Sequence, residues 1–201
     1  MRGVFVTGTD TGIGKTMVSA WLVHSWNADY WKPVQSGVAD GSDADVVRAV
    51  APQTIIHPSA HTLTEPLSPH EAARRDGVTI SLTDFHLPAT DRPLVVEGAG
   101  GALVPLNDHD MMADLMAHLG LPVVVVARSG LGTINHTLLT LEALQHRGLS
   151  VVGVVMSGSP NDANRQAIEH FSGVTVIGQL PLLDGVKGLR DYPPLAWRPS
   201  L

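Results

Sequence analysis

The sequence predicts an α/β protein: one domain, residues 1–201, with a mostly parallel β-sheet covered by helices on both faces. Short, continuous apolar runs recur along the chain, helical patterns separate them, and the first run leads through a glycine-rich turn into the first helix. Runs that are apolar throughout, rather than at alternate residues, suit strands buried on both sides. Strands alternating with helices build βαβ units, whose strands pair in parallel.

The elements follow in order. "GVFVTG" (3–8) is the first strand, and the helix after its turn carries Val18, Trp21 and Leu22. Residues 52–93 hold Pro52, Pro58, Pro66, Pro69, Pro88 and Pro93 and read as loop-rich. "PLVVEG" (93–98) is a strand. Asp110 is placed to cap a helix whose Met112, Leu115, Met116 and Leu119 share a face, with Gly120 and Pro122 ending it. "PVVVVAR" (122–128) is the next strand. Ile134, Leu138, Leu141 and Leu144 then recur at helical spacing until Gly148. "VVGVVMS" (151–157), a helix over about 161–171 and "VTVIGQL" (174–180) complete the alternation. From Pro181 the chain is proline-rich again and is expected to wrap the surface. There is no internal repeat.

Composition narrows the function classes. A chain of 201 residues with 44% hydrophobic and 16% charged residues can bury one sizeable core. A net charge of −6 argues against non-specific nucleic-acid binding. With no cysteine there is no disulfide, thiolate metal site or cysteine nucleophile. No apolar stretch approaches the ~18 residues of a membrane span. The apolar run at the N-terminus is too short for a signal peptide. A cytoplasmic protein without a membrane partner is expected.

The turn after the first strand carries the chemistry. "VTGTDTGIGKT", Val6 to Thr16, ends in the Gly-Lys-Thr of a phosphate-binding loop, yet its first glycine, Gly8, lies one residue earlier than G-x-x-x-x-G-K-[ST] requires. A bare Gly-Lys-Thr means little. After a buried strand and before an amphipathic helix it sits where backbone amides cradle phosphate oxygens at a helix N-terminus. Gly12, Ile13, Gly14, Lys15, Thr16 and Met17 are therefore candidate nucleotide contacts in a P-loop NTPase-like sheet, whose ligands bind beyond the carboxyl ends of the strands.

Other candidates surround it. Of 13 basic residues only three are lysines, Lys15, Lys32 and Lys187, and the first two follow strands in glycine- or proline-bounded turns. A compact ammonium on a flexible stem suits phosphate or carboxylate there, although Lys32 could equally form a structural ion pair. Glu97 ends an apolar strand before Gly98, Gly100 and Gly101, where a carboxylate can face Mg²⁺ held by Thr16 and the phosphates. Asp40, Asp43 and Asp45 surround a helix start; Asp43 reads either as an N-cap or as a metal-site acid. His57 and His61 are four apart, but Pro58 breaks the helical face a shared metal would need, and no histidine metal centre is expected.

With these residues assembled, the chain resembles the dethiobiotin synthetase family. The motifs are "FVTGTDTGIGKT" (5–16), "WKPVQSG" (31–37), "EPLSPHEAA" (65–73), "VVEGAGG" (95–101), "LGTINHTLLTLEAL" (131–144) and, more faintly, "GQLP" (178–181). The family's own phosphate loop has the extra residue. The resemblance implies an ATP- and Mg²⁺-dependent cyclo-ligase of biotin biosynthesis, which closes 7,8-diaminopelargonate with CO₂ to dethiobiotin through a carbamate and a carbamic-phosphoric anhydride. It implies that Lys15 and Lys32 serve phosphoryl transfer, with Thr11 and Ser36 positioning the carbamate. Thr16, Asp43 and Glu97 would hold Mg²⁺; Gly100 and Asn135 would contact the substrate; Ser157 and Pro181 would line the nucleotide. A homodimer is implied, because the family's substrate carboxylate lies near a two-fold interface.

The chain also departs from the family. Some members have a glutamate where Gly12 stands, and Trp31 replaces a frequent tyrosine. Asp45 rivals Asp43, and the family's nucleobase-contacting tail cannot be aligned beyond Pro181. Where some members read adenine with an asparagine, this chain has Ser157, so relaxed nucleobase selectivity is expected. Two other readings stand beside the ligase: a partitioning-type switch ATPase and a non-catalytic nucleotide-binding module. The switch ATPases carry an early lysine in the loop, and "TDTGI" (9–13) has none. A cobyrinate-type amidotransferase needs the cysteine that is missing.

Overall fold

The structure, a computed structural model, describes residues 3–37 and 41–198. Asp40 lies outside them. A seven-stranded sheet forms the centre. Its strands are β1 (Gly3–Gly8), β2 (Asp29–Trp31), β4 (Ile56–His57), β6 (Leu94–Gly101), β7 (Val123–Arg128), β8 (Val151–Ser157) and β9 (Val176–Leu180), in spatial order β4-β2-β6-β1-β7-β8-β9. Every strand pair in it is parallel. β3 (Val34–Ser36) and β5 (His61–Leu63) form a second, two-stranded parallel sheet.

Because successive strand residues point to opposite faces, β1 feeds two cores. Phe5 joins Leu94, Val96, Val123 and Val125 beneath α3 (Pro69–Asp76), α4 (Met112–Leu119), α5 (Thr133–His146) and α6 (Asp162–Ser172). Val4 and Val6 join Val95, Val124 and Val126 beneath α1 (Lys15–Trp26), α2 (Asp43–Val50) and α7 (Gly185–Asp191). α1 is covered almost all round: Val18, Trp21, Leu22 and Trp26 are buried against the sheet, α2 and the C-terminal segment. From β1 the chain runs outward to β2 and β4, reverses once to β6 and passes across β1 to β7, so the turns after β1 and β6 meet at one carboxyl edge.

Four sequence expectations change. Asp110 does not cap α4: the turn before the helix binds it through Asn107, whose Oδ1 accepts from its N–H at 2.7 Å. Met111 stands at the cap position and donates its N–H to Asp114 Oδ2 at 2.7 Å. The proline-rich stretch 52–93 contains β4, β5, α3 and a 3₁₀ turn at Leu82–Asp84. β6 does not stop at Gly98 but runs through the glycines to Gly101, which pairs with Gly8 after an irregularity in register. The segment after Pro181 does more than wrap the surface: Leu189 and Leu195 are buried, and Trp21 and Trp26 donate their indole N–H groups to the carbonyls of Pro193 and Trp197.

Candidate functional site

The phosphate loop leaves β1 at Gly8 and enters α1 at Lys15. Gly14 caps the helix with φ 93°, a left-handed conformation that favours glycine, and a Cβ there would come within 2.5 Å of Ser157 Oγ. Asp10 braces the loop from within: its Oδ1 accepts the Thr11 N–H at 2.7 Å and its carbonyl accepts from Lys15 Nζ at 3.1 Å. Lys15 is buried, and that burial, with the nearby charge of Lys32, pushes its ammonium below the usual lysine value against the pull of Glu97, Asp43 and Asp10.

Strand register assembles the charged cluster. Trp31 pairs with Val96, so Lys32 and Glu97, one residue further on each strand, meet side by side. Lys32 Nζ lies 3.1 Å from Glu97 Oε1 and in closer contact with Asp43. Glu97, 1% exposed, also accepts from Thr16 Oγ1 and Tyr30 Oη, both at 3.0 Å. Thr16 Oγ1 approaches Asp43 Oδ1 to 2.5 Å. Burial works against the charge of Lys32, but Glu97 and Asp43 outweigh it and hold the ammonium above its usual value. Burial works against Asp43 as well, and Lys32 and Thr16 hold its carboxyl below the ordinary range. Burial and Glu97 together raise the Tyr30 phenol well above its usual value.

The two rival aspartates separate cleanly in space. Ser42 caps α2, accepting the Asp45 N–H at 3.2 Å while Asp45 Oδ2 accepts back from Ser42. Asp45, exposed, also pairs with Arg48 at 3.2 Å. This reciprocal cap leaves Asp43, the first helical residue, free to face Thr16 and Lys32. Three hard oxygens thus converge, Thr16 Oγ1, Asp43 Oδ1 and Glu97 Oε1. That donor set suits Mg²⁺, which takes few protein oxygens and completes its shell with water and phosphate. No cluster of three or more His, Cys, Asp or Glu side chains fit to hold a metal occurs among the described residues. His57 and His61 have different neighbours, Asp29 and Asp84.

Two cavities flank the loop and share Gly12 and Gly14. The first, about 560 Å³, contains the charged cluster together with Thr11, Ser36 and Gly100. Ser36 Oγ is buried in its wall without a hydrogen-bond partner among the described residues. The second, about 380 Å³, is lined by Ile13, Met17, Ser157 and Pro181, with Arg128 and Leu182. Asn135 is exposed near the start of α5 and lines neither cavity. Reading the residues one by one missed part of the first cavity's wall: Gln35, the Pro66–Pro69 turn, Ala99 and Val104. The signal for the turn was present in "EPLSPHEAA", a motif without a titratable group at its cavity face.

Comparison with known proteins finds relatives over most of the chain. The family described as "AAA domain" matches residues 2–189. The chain is 62% identical over 186 residues to "ATP-dependent dethiobiotin synthetase BioD" of Paramagnetospirillum magneticum, covering 92% of this chain and 91% of that protein. It is 52% identical to the protein of the same name from Brucella ovis, covering 90% and 86%. Among solved structures, a ParA family ATPase from Chlorobium tepidum superposes with a TM-score of 0.59 at 12% identity, covering 92% of this chain and 86% of that one. That likeness shows the shared fold.

Proposed function

The chain belongs to the ATP-dependent dethiobiotin synthetase family, and from that premise we propose how its residues carry out the reaction. The protein is a ligase of biotin biosynthesis, converting 7,8-diaminopelargonate, CO₂ and ATP to dethiobiotin, ADP and phosphate. One observation carries the residue assignment: Lys15, Thr16, Lys32, Asp43 and Glu97 converge on one wall of a single cavity.

One substrate amine adds to CO₂ and gives a carbamate. A carbamate oxygen attacks the γ-phosphorus of ATP, expelling ADP and leaving a carbamic-phosphoric anhydride. The second amine attacks the carbamoyl carbon, expels phosphate and closes the ureido ring. Lys15, folded onto the Asp10 carbonyl in this structure, swings to the β/γ-phosphates and offsets charge as the phosphoryl group transfers. Lys32 bridges the carbamate oxygen and the γ-phosphate. Its two carboxylate partners keep it charged and aimed. Ser36 Oγ, buried and without a partner among the described residues, holds the carbamate with Thr11, and Gly100 lines the cavity beside the substrate. Thr16, Asp43 and Glu97 would hold Mg²⁺, which would supply charge neutralisation to the transferring phosphoryl group.

We further read the active form as a homodimer. Asn135 lies outside the cavities of one chain, while Leu131 is fully exposed and Leu139 is 56% exposed on the same stretch. A second copy covering this face brings Asn135 to the substrate carboxylate. No helix among the described residues is long and apolar enough to cross a membrane, and we place the protein in the cytoplasm.

The test is ADP release with diaminopelargonate and bicarbonate present, then with each omitted. Release that requires both is expected. Hydrolysis that ignores diaminopelargonate would indicate a switch ATPase, and binding without release a non-catalytic module.

A further inference from the structure

Arg128 ends β7 opposite Ser157 at the end of β8. Residue alternation places both on the α1 face, where Val126 and Val155 lie, and both line the second cavity. The guanidinium has five donors but makes one hydrogen bond among the described residues, from Nη2 to Asp10 Oδ2 at 2.8 Å. Its Nε–H is buried without a partner among the same residues. The side chain is 42% exposed and Asp10 54%, and an ion pair so open to water contributes little to stability. A cation with unused donors, buried in part beside a phosphate loop, is better matched to an incoming anion than to the pair it makes here.

We propose that Arg128 is a nucleotide-binding residue, its free donors holding the phosphates nearest the ribose. The placement decides which phosphates. Lys15 and Lys32 face the first cavity, with Thr16, Asp43 and Glu97, where the γ-phosphate is transferred. Arg128 lies across the loop from them, in the cavity lined by Met17, Ser157 and Pro181 that the base enters. The α- and β-phosphates pass between the two, over Gly12 and Gly14, which both cavities share. A planar guanidinium can hold two phosphate oxygens through parallel N–H bonds in a fixed fork, a geometry that the compact ammonium of a lysine lacks. In the free protein Asp10 neutralises this charge and keeps it beside the loop. Nucleotide then competes with Asp10 for Arg128.

This inference rests on the nucleotide reading of the second cavity and is tested by direct ADP and ATP binding in calorimetry. Arg128→Gln should weaken ADP and ATP alike by about tenfold, because the lost contact does not involve the γ-phosphate. Arg128→Lys should recover part of the affinity, and the melting temperatures show that each variant is folded. Asp10→Asn keeps an acceptor for the Thr11 N–H but releases the guanidinium, so its ADP affinity should equal or exceed wild type. Unchanged ADP affinity in Arg128→Gln would overturn the proposal. So would a loss in Asp10→Asn as large as that in Arg128→Gln, which would reduce the pair to a brace of the loop. A wild type that binds no ADP would refute the nucleotide site itself rather than the role of Arg128.

Discussion

The two cavities on either side of the phosphate loop are built of different material. In the first, Glu97 accepts from three side chains, Lys32 touches two carboxylates, and Thr16 reaches both acids. Each charge there has partners, and Lys32 and Glu97 are almost fully buried. In the second, apart from Arg128, the lining is the loop itself, Met17, Ser157 and the Leu180–Leu183 run. A fixed, low-dielectric cluster stabilises charge that develops at one point, whereas an apolar slot with one hydroxyl accepts a ring without reading its edge. Polar partners are therefore abundant on one side of the loop and sparse on the other.

The comparison breaks most easily at Lys15. Lys15→Ala should cut turnover by roughly 10²–10³-fold, the scale of a lost transition-state cation, measured as kcat under saturating substrates. Full activity would remove the phosphate-loop assignment. Lys32→Ala should lower kcat more than it weakens ATP binding. It should also destabilise the fold by about 3–5 kcal/mol in denaturant titration, since it strands a buried carboxylate. A pure KM effect with unchanged stability would make it an ordinary binding lysine.

Metal titration sharpens the same contrast. Glu97→Gln and Asp43→Asn should both shift the Mg²⁺ dependence of turnover to higher concentration. Asp45→Ala should leave it unmoved and cost only about 1 kcal/mol, because it removes one half of the reciprocal cap around Ser42. Equal shifts for the two aspartates would contradict their separation in space.

On the base side the expected effect is smaller. Ser157→Asn supplies an amide that can donate to and accept from one adenine edge, and should raise the preference for ATP over CTP and GTP by roughly tenfold or more in kcat/KM. A wild type that already prefers ATP a thousandfold would overturn relaxed selectivity.

The weakest effect is on acid stability. The folded Asp43 carboxyl lies below its ordinary value of 3.8, so its contribution is complete above that pH and fades as pH falls through the lower folded value. The melting-temperature gap between wild type and Asp43→Asn should hold constant from pH 7 to about 5 and narrow in more acid solution. A gap that widens in acid would reverse the sign of the coupling.

Much of this was legible in the residues. The strands at 3–8, 122–128 and 151–157 declared themselves because both faces are buried and leave no polar alternation. The short strands β2 to β5 did not, since two or three residues carry no period, and the prolines at 58 and 66 look like loop whether or not a strand lies between them. Asp110 misled because an acid before an apolar helix looks like a cap until a neighbouring asparagine claims its backbone.

The sequence by itself determined the parallel α/β class, the loop at 8–16 with its extra residue and the candidacy of Lys15, Lys32 and Glu97, because each depends on local spacing and residue chemistry. The tertiary structure decided what spacing cannot reach. It placed Asp43 rather than Asp45 beside Thr16, since a reciprocal cap occupied one and freed the other. Strand order brought residues 27 and 81 positions apart onto one hydroxyl. It also set Arg128 against Asp10, 118 residues away, because β1 and β7 are neighbours only in the folded sheet.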